Sequence, residues 1–317
     1  MRRLLALVPV LALALLAASL TPTAAQPRAP GGLAAGDLYL ALGDSLTTGT
    51  EAAANNDGKP GYPNYIRDKI TATTAISYTL LGVSGESTTS MLAPNDQLDQ
   101  AQTAITNAQA QNQRLGLITL SIGGNDIVDV FRGGDRTVTD TLALMRTNLS
   151  LILDELITAS AAGTSKPPQI MLMNYYNPYP GVTIGVAPFT ISLPPGQEPI
   201  VTDRDLPKFN AMLNEIAAER CIPVVDAFRV VKGKEAPYLF VDIAQALANP
   251  FLLEQYLDYH PREFGHIALA DAFFAEIDQL GCRAYLPFSR RNAKARQRVM
   301  EVARCLAFIT AVSGMLL

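Results

Sequence analysis

Four separate places in this chain carry groups suited to nucleophilic acyl transfer, and each follows or adjoins a strand-length apolar run. The first is Gly43-Asp44-Ser45-Leu46, directly after Leu38-Tyr39-Leu40-Ala41-Leu42. A serine hydroxyl is a weak nucleophile until a positioned base takes its proton, so Ser45 needs a histidine. The chain has only two, His260 and His266, both within Asp258-Tyr259-His260-Pro261-Arg262-Glu263-Phe264-Gly265-His266. Attack on a carbonyl also requires donors aimed at the developing oxyanion. Gly85, in Gly82-Val83-Ser84-Gly85-Glu86-Ser87-Thr88, can present a backbone N–H at close range. Asn125, in Ser121-Ile122-Gly123-Gly124-Asn125-Asp126, offers a side-chain amide, and the N–H of Ser45 completes the set. His260 stands before a helical pattern and reads as the base, whereas His266 falls inside that pattern and reads as structural. Asp44 and Asp126 read as residues that hold loops through side-chain to backbone bonds.

The elements that must hold these groups follow from hydrophobic periodicity. Strand-length apolar runs occur at 37–42, 77–83, 115–122, 169–175 and 222–226, with helical patterns at 63–71, 91–111, 136–162, 207–220 and 263–280. Asp205 as cap and Pro207 in the first turn mark the start of the fourth helical pattern. Strands that are apolar on both faces and alternate with helices specify a parallel sheet covered on both sides. The expected architecture is a flavodoxin-like three-layer α/β/α sandwich with a five-stranded parallel sheet, order 2-1-3-4-5. Reacting groups in such sheets gather at the carboxyl ends of the strands, where all four blocks fall. The proline-rich stretch from Tyr176 to Leu206 reads as a long structureless loop on that same edge.

At this point the chain resembles the SGNH, or GDSL, hydrolase family, whose four blocks supply a serine, a glycine, an asparagine and a histidine. Ser45 matches the nucleophile, Gly85 and Asn125 match the oxyanion-hole residues of the second and third blocks, and His260 matches the base. The resemblance spans about residues 37–281 and implies ester hydrolysis through an acyl-enzyme, with no cofactor or metal. One departure stands out. The family usually carries an aspartate three residues before the histidine, where this chain has Leu257; Asp258, two residues before His260, is the candidate to orient the imidazole, with a backbone carbonyl as its alternative. Rival readings are a non-catalytic cell-surface binding protein on the same scaffold and an O-acyltransferase acting on sugars.

Hydrophobic residues make up 49% of the 317, ample for a core. Arg2 and Arg3, the apolar run from Leu4 to Leu20 and the small residues ending at Ala25 read as a signal peptide over 1–25, and hence as a secreted protein. A Pro/Gly/Ala linker at 26–36, the hydrolase domain at 37–288 and a tail at 289–317 complete the organisation. That tail carries six basic residues and one acid between Arg290 and Arg304, then the apolar run Cys305 to Leu317, a composition suited to peripheral membrane contact. Against a formal charge of −4 for the whole chain, the body outside that tail is acidic and gives no hint of nucleic-acid binding, and the expected partner is a small-molecule, lipid or acylated-carbohydrate ester. Of the three cysteines, Cys221 and Cys282 flank elements that can be neighbours, which makes a bridge between them an open expectation, with two small core residues as its alternative.

Overall fold

The computed structural model describes residues 30–50, 57–161, 168–249 and 253–283. The stretch read as a signal peptide, the tail after 283 and Cys305 lie outside the described residues.

β1 (Leu38–Gly43), β2 (Ser77–Leu80), β3 (Leu115–Ser121), β4 (Gln169–Met173) and β7 (Val224–Val225) form one parallel sheet in the order β2-β1-β3-β4-β7. Counted along the sheet, this is the expected order 2-1-3-4-5. Every residue of β1 and β3 is buried, as required of central strands covered on both faces. Side chains alternate between two cores. Leu40, Leu42, Ile118, Leu120 and Leu172 join the core under α3 (Gln97–Ala110), α5 (Val138–Ala161) and α6 (Thr202–Glu219). Tyr39, Ala41, Leu117, Met171 and Met173 join the core under α2 (Tyr62–Thr71) and α11 (Glu263–Arg283), where Tyr62 stacks on Phe273 at 4.8 Å. The result is three layers, helices–sheet–helices, as the apolar periodicity implies.

Short helices connect these layers near the strand ends: α1 (Ser45–Thr48), α4 (Gly124–Phe131), α7 (Ala227–Val231), α8 (Glu235–Tyr238), α9 (Ile243–Ala248) and α10 (Leu253–Tyr256). Among the described residues no helix is long and apolar enough to cross a membrane.

Several boundaries differ from the sequence reading. The last strand of the sheet shrinks to Val224–Val225, and α3 begins at Gln97 because Asp96 turns the chain and caps it, accepting the Gln97 N–H at 2.7 Å. α6 starts at Thr202, a turn before Pro207, so Asp205 is no cap. It is buried inside the helix, accepting the Val201 N–H and paired with Arg204 and Lys208. The 176–206 stretch is not structureless: β5 (Thr183–Ile184) pairs antiparallel with β6 (Ile200–Val201). Within the stretch read as a linker, residues 30–36 pack on the domain. Leu33 is buried there, the Gln169 amide donates to the Gly31 carbonyl, and Arg114 donates to the Gly32 carbonyl. One apolar side chain among small residues is too weak a local signal to reveal such docking. Cys221 is free and exposed, in a left-handed turn at φ 56°; the side chain of Cys282, its expected partner, lies outside the described residues.

Candidate active site

β1 ends at Gly43, paired in register with Ser121 of β3. Gly43 has φ 139°, and a Cβ there would stand 2.2 Å from the Ser121 carbonyl oxygen, so no side chain fits. The following Asp44 caps α1 by accepting the Leu46 N–H at 3.0 Å, and its own N–H donates to the Ser121 carbonyl. Ser45 is thereby the first residue of a short helix, with its N–H aimed outward from a helix start.

His260 comes to this serine from a distant part of the chain. Its Nε2 lies 2.9 Å from Ser45 Oγ, and its Nδ1 lies 2.5 Å from Asp258 Oδ1. The same Asp258 Oδ1 accepts the backbone N–H of His260 at 3.0 Å. That is an Asx-turn, a bond from a carboxylate to the amide two residues on, and it is how an acid at 258 rather than 257 reaches the ring. Asp258 is buried, and the Tyr259 ring stacks on the imidazole at 4.4 Å. Two tyrosines from the segment after β4 clasp this turn: Tyr179 Oη donates to the Leu257 carbonyl at 2.5 Å, and Tyr176 Oη to the Tyr259 carbonyl at 2.8 Å. Neither tyrosine was singled out from the sequence, because a single aromatic in a proline-rich stretch has no periodicity to reveal its contact.

The second and third blocks are tied to the first through buried polar groups. Gln97 receives the Gly43 N–H at 2.6 Å and returns a bond to the Gly43 carbonyl at 2.9 Å, while also donating to Glu86 at 3.1 Å. Asn125 Nδ2 donates to the Glu86 carbonyl at 2.8 Å, and Asp126 accepts both the N–H and the hydroxyl of Thr88 at 2.8 Å. Asp44 and Asp126 thus both hold loops. The Asn125 amide keeps one hydrogen beyond its bond to Glu86, and among the described residues neither the Ser45 N–H nor the Gly85 N–H meets a protein acceptor. Gly85 has φ 85°, with open space where a Cβ would stand.

Burial sets the charges here. It pushes the Asp44 carboxyl up to about 7, with Asp126 and Glu86 adding repulsion, and it raises Glu86 and Asp126 as well. Burial holds His266 neutral, down to about 3, with His260 contributing, and among the described residues its Nδ1 has no hydrogen-bond partner. Among the described residues no group of His, Cys, Asp and Glu could hold a metal ion.

A cavity of about 850 Å³ opens at these residues. Ser45, Asn125, Asp258 and His260 all line it, whereas Gly85 lies outside its lining, connected through the Glu86 carbonyl that Asn125 holds. The arrangement can activate a hydroxyl by proton transfer to an imidazole, with the Asn125 amide lining the same cavity.

Residues 41–268 match the family described as GDSL-like Lipase/Acylhydrolase. The spore germination lipase LipC of Bacillus licheniformis is 23% identical over 211 residues, covering 64% of this chain and 86% of that protein. Among solved structures, the acetylxylan esterase Axe2 from Geobacillus stearothermophilus aligns with a TM-score of 0.47 at 19% identity, over 77% of this chain and 95% of the other. The aryl esterase of M. smegmatis aligns with a TM-score of 0.48 at 16% identity, over 77% and 99%.

Proposed function

For a chain that belongs to the GDSL-like lipase/acylhydrolase family and hydrolyses esters, we propose a serine acyl-enzyme mechanism carried by Ser45, His260 and Asp258. The observation that carries it is the unbroken run of close contacts from Ser45 Oγ through the imidazole to the buried Asp258 carboxylate. His260 Nε2 takes the Ser45 proton as Oγ attacks the ester carbonyl carbon. The carbonyl oxygen becomes an oxyanion held by the N–H groups of Ser45 and Gly85 and by the Asn125 amide. On collapse the C–O bond to the alcohol breaks, and the imidazolium gives that alcohol its proton. Water then attacks the Ser45 ester with His260 again as base, releasing the acid and the free serine. Asp258 keeps the Nδ1–H tautomer and stabilises the imidazolium without taking the proton itself.

Export belongs to the same reading, supported by the basic, apolar and small-residue order of residues 1–25, as does membrane contact by the basic then apolar tail after Ser289. Flotation of full-length protein on anionic liposomes, against a version ending at Ser289, tests the tail; equal flotation removes that part of the reading.

The mechanism is tested with a fluorophosphonate probe and p-nitrophenyl butyrate. Wild type is labelled and active, and Ser45→Ala is neither, with an unchanged circular dichroism spectrum. Labelling or turnover in Ser45→Ala above about one-hundredth of wild type refutes the assignment, since such residues typically account for ~10⁴–10⁶-fold.

A further inference from the structure

The cavity beside Ser45 is far larger than the reacting groups need, and its size and wall point to a substrate. At roughly 30 Å³ for a water-sized group, the three heavy atoms of an acetyl fill only about 90 Å³. The cavity measures about 850 Å³, so an acetyl ester would leave most of it unused. Two elements supply the wall beyond the serine. α4 begins beside Asn125 and presents Ile127, Val128 and Phe131; at 1.5 Å per residue, Phe131 lies about 9 Å further along the helix axis than Asn125. The segment between β4 and α6 contributes Val182, Ile184 and Phe189, fixed by the pairing of β5 with β6. Apart from Arg132 and Thr190, both exposed, and the buried Asn174, whose amide is bonded to Asp226 and to the Phe228 N–H, the side chains these two elements present beyond Asn125 are apolar or aromatic.

A third contribution comes from the shifted acid. Because Asp258 reaches His260 through an Asx-turn, position 257 is released from that task, and Leu257 lines the cavity. Tyr179 lines it too, while its hydroxyl holds the Leu257 carbonyl, so wall and acid–base turn are built as one unit.

Resting on the reading of Ser45 as nucleophile, we infer that this cavity is an acyl compartment, and that the substrates are esters of medium to long unbranched fatty acids rather than acetylated sugars. The chain lies along α4 with its carbonyl at Asn125 and its methylenes against Val128, Phe131, Ile184 and Phe189.

Each methylene moved from water into such a wall is worth up to about fourfold in kcat/KM. Monomeric p-nitrophenyl acetate and octanoate, which differ by six methylenes, therefore give an octanoate-to-acetate ratio of at least about 10 in wild type. Val128→Trp, a filler on a half-buried helix position, lowers that ratio at least tenfold, with folding checked by circular dichroism. A reading independent of turnover comes from calorimetric titration of Ser45→Ala with sodium octanoate and with sodium acetate. Octanoate binds at least tenfold more tightly if the compartment exists. Hydrolysis of acetate with a flat or falling ratio overturns the acyl compartment and leaves the mechanism standing. Octanoate binding without hydrolysis of any ester does the reverse. Equal weak binding of both acids, together with a ratio indifferent to Val128→Trp, also overturns the compartment.

Discussion

Replacing Asp258 by asparagine keeps the shape of the acid–base turn and removes its charge. The asparagine side-chain oxygen can still accept the His260 backbone N–H, so the Asx-turn survives and the fold with it. What is lost acts on the transition state, in which the imidazole carries a full positive charge. Asp258 is only 4% exposed, so solvent screening is slight. Two unit charges about 4 Å apart at an effective dielectric of about 20 attract by about 4 kcal/mol. At 1.36 kcal/mol per tenfold in rate, that corresponds to a kcat about 10³-fold lower. The neutral imidazole of the ground state feels little of this attraction, so KM should stay within about threefold. The assay is steady-state hydrolysis of p-nitrophenyl butyrate by wild type and Asp258→Asn, with thermal melts of both. A folded variant that keeps kcat within tenfold of wild type would refute the argument and pass the orienting role to a backbone carbonyl.

Three further outcomes follow from the geometry. Asn125→Ala removes the proposed oxyanion donor and should lower kcat by about 10²–10³-fold with KM little changed; a change confined to KM would make Asn125 a substrate-binding residue instead. The double variant Tyr176→Phe/Tyr179→Phe keeps both rings but frees the carbonyls of Leu257 and Tyr259, at about 0.5–1.5 kcal/mol per bond. Its kcat should fall about tenfold or more, and unaltered turnover would show that the turn holds its shape without the clasp. Asp44 is buried with its carboxyl raised to about 7, so between pH 4 and 7 the unfolded chain releases a proton that the native state retains. Its contribution to stability therefore falls across that window by about 1.4 kcal/mol per pH unit and is flat above it. Asp44→Asn, which keeps a capping oxygen, should gain about 2–3 kcal/mol relative to wild type between pH 5 and pH 8 in urea unfolding; the same difference at both pH values would refute the burial argument.

The architecture was legible in the sequence because its signals are local. Strands buried on both faces leave unbroken apolar runs, and Leu38 to Leu42 and Leu115 to Leu120 announce β1 and β3 without reference to anything else. Parallel strands with helical crossovers then put Ser45, Asn125 and the second-block loop at one edge, so their shared placement could be read before its geometry. Tertiary structure alone decided what depends on groups far apart in the chain. The 2.9 Å approach of His260 to Ser45 joins residues 215 positions apart, and the tyrosine clasp joins residues about 80 apart. The start of α6 at Thr202 and the docking of Leu33 escaped the pattern because one buried contact leaves no period. Whether an acid at 258 rather than 257 could reach the imidazole was likewise open until the Asx-turn appeared, since one residue of slip is absorbed by backbone torsions that composition does not record. The cavity is the furthest from the sequence of all. Its wall assembles α4, the β5–β6 segment and the turn before α11, and the shape of a cleft is a property of packed surfaces rather than of any stretch of chain.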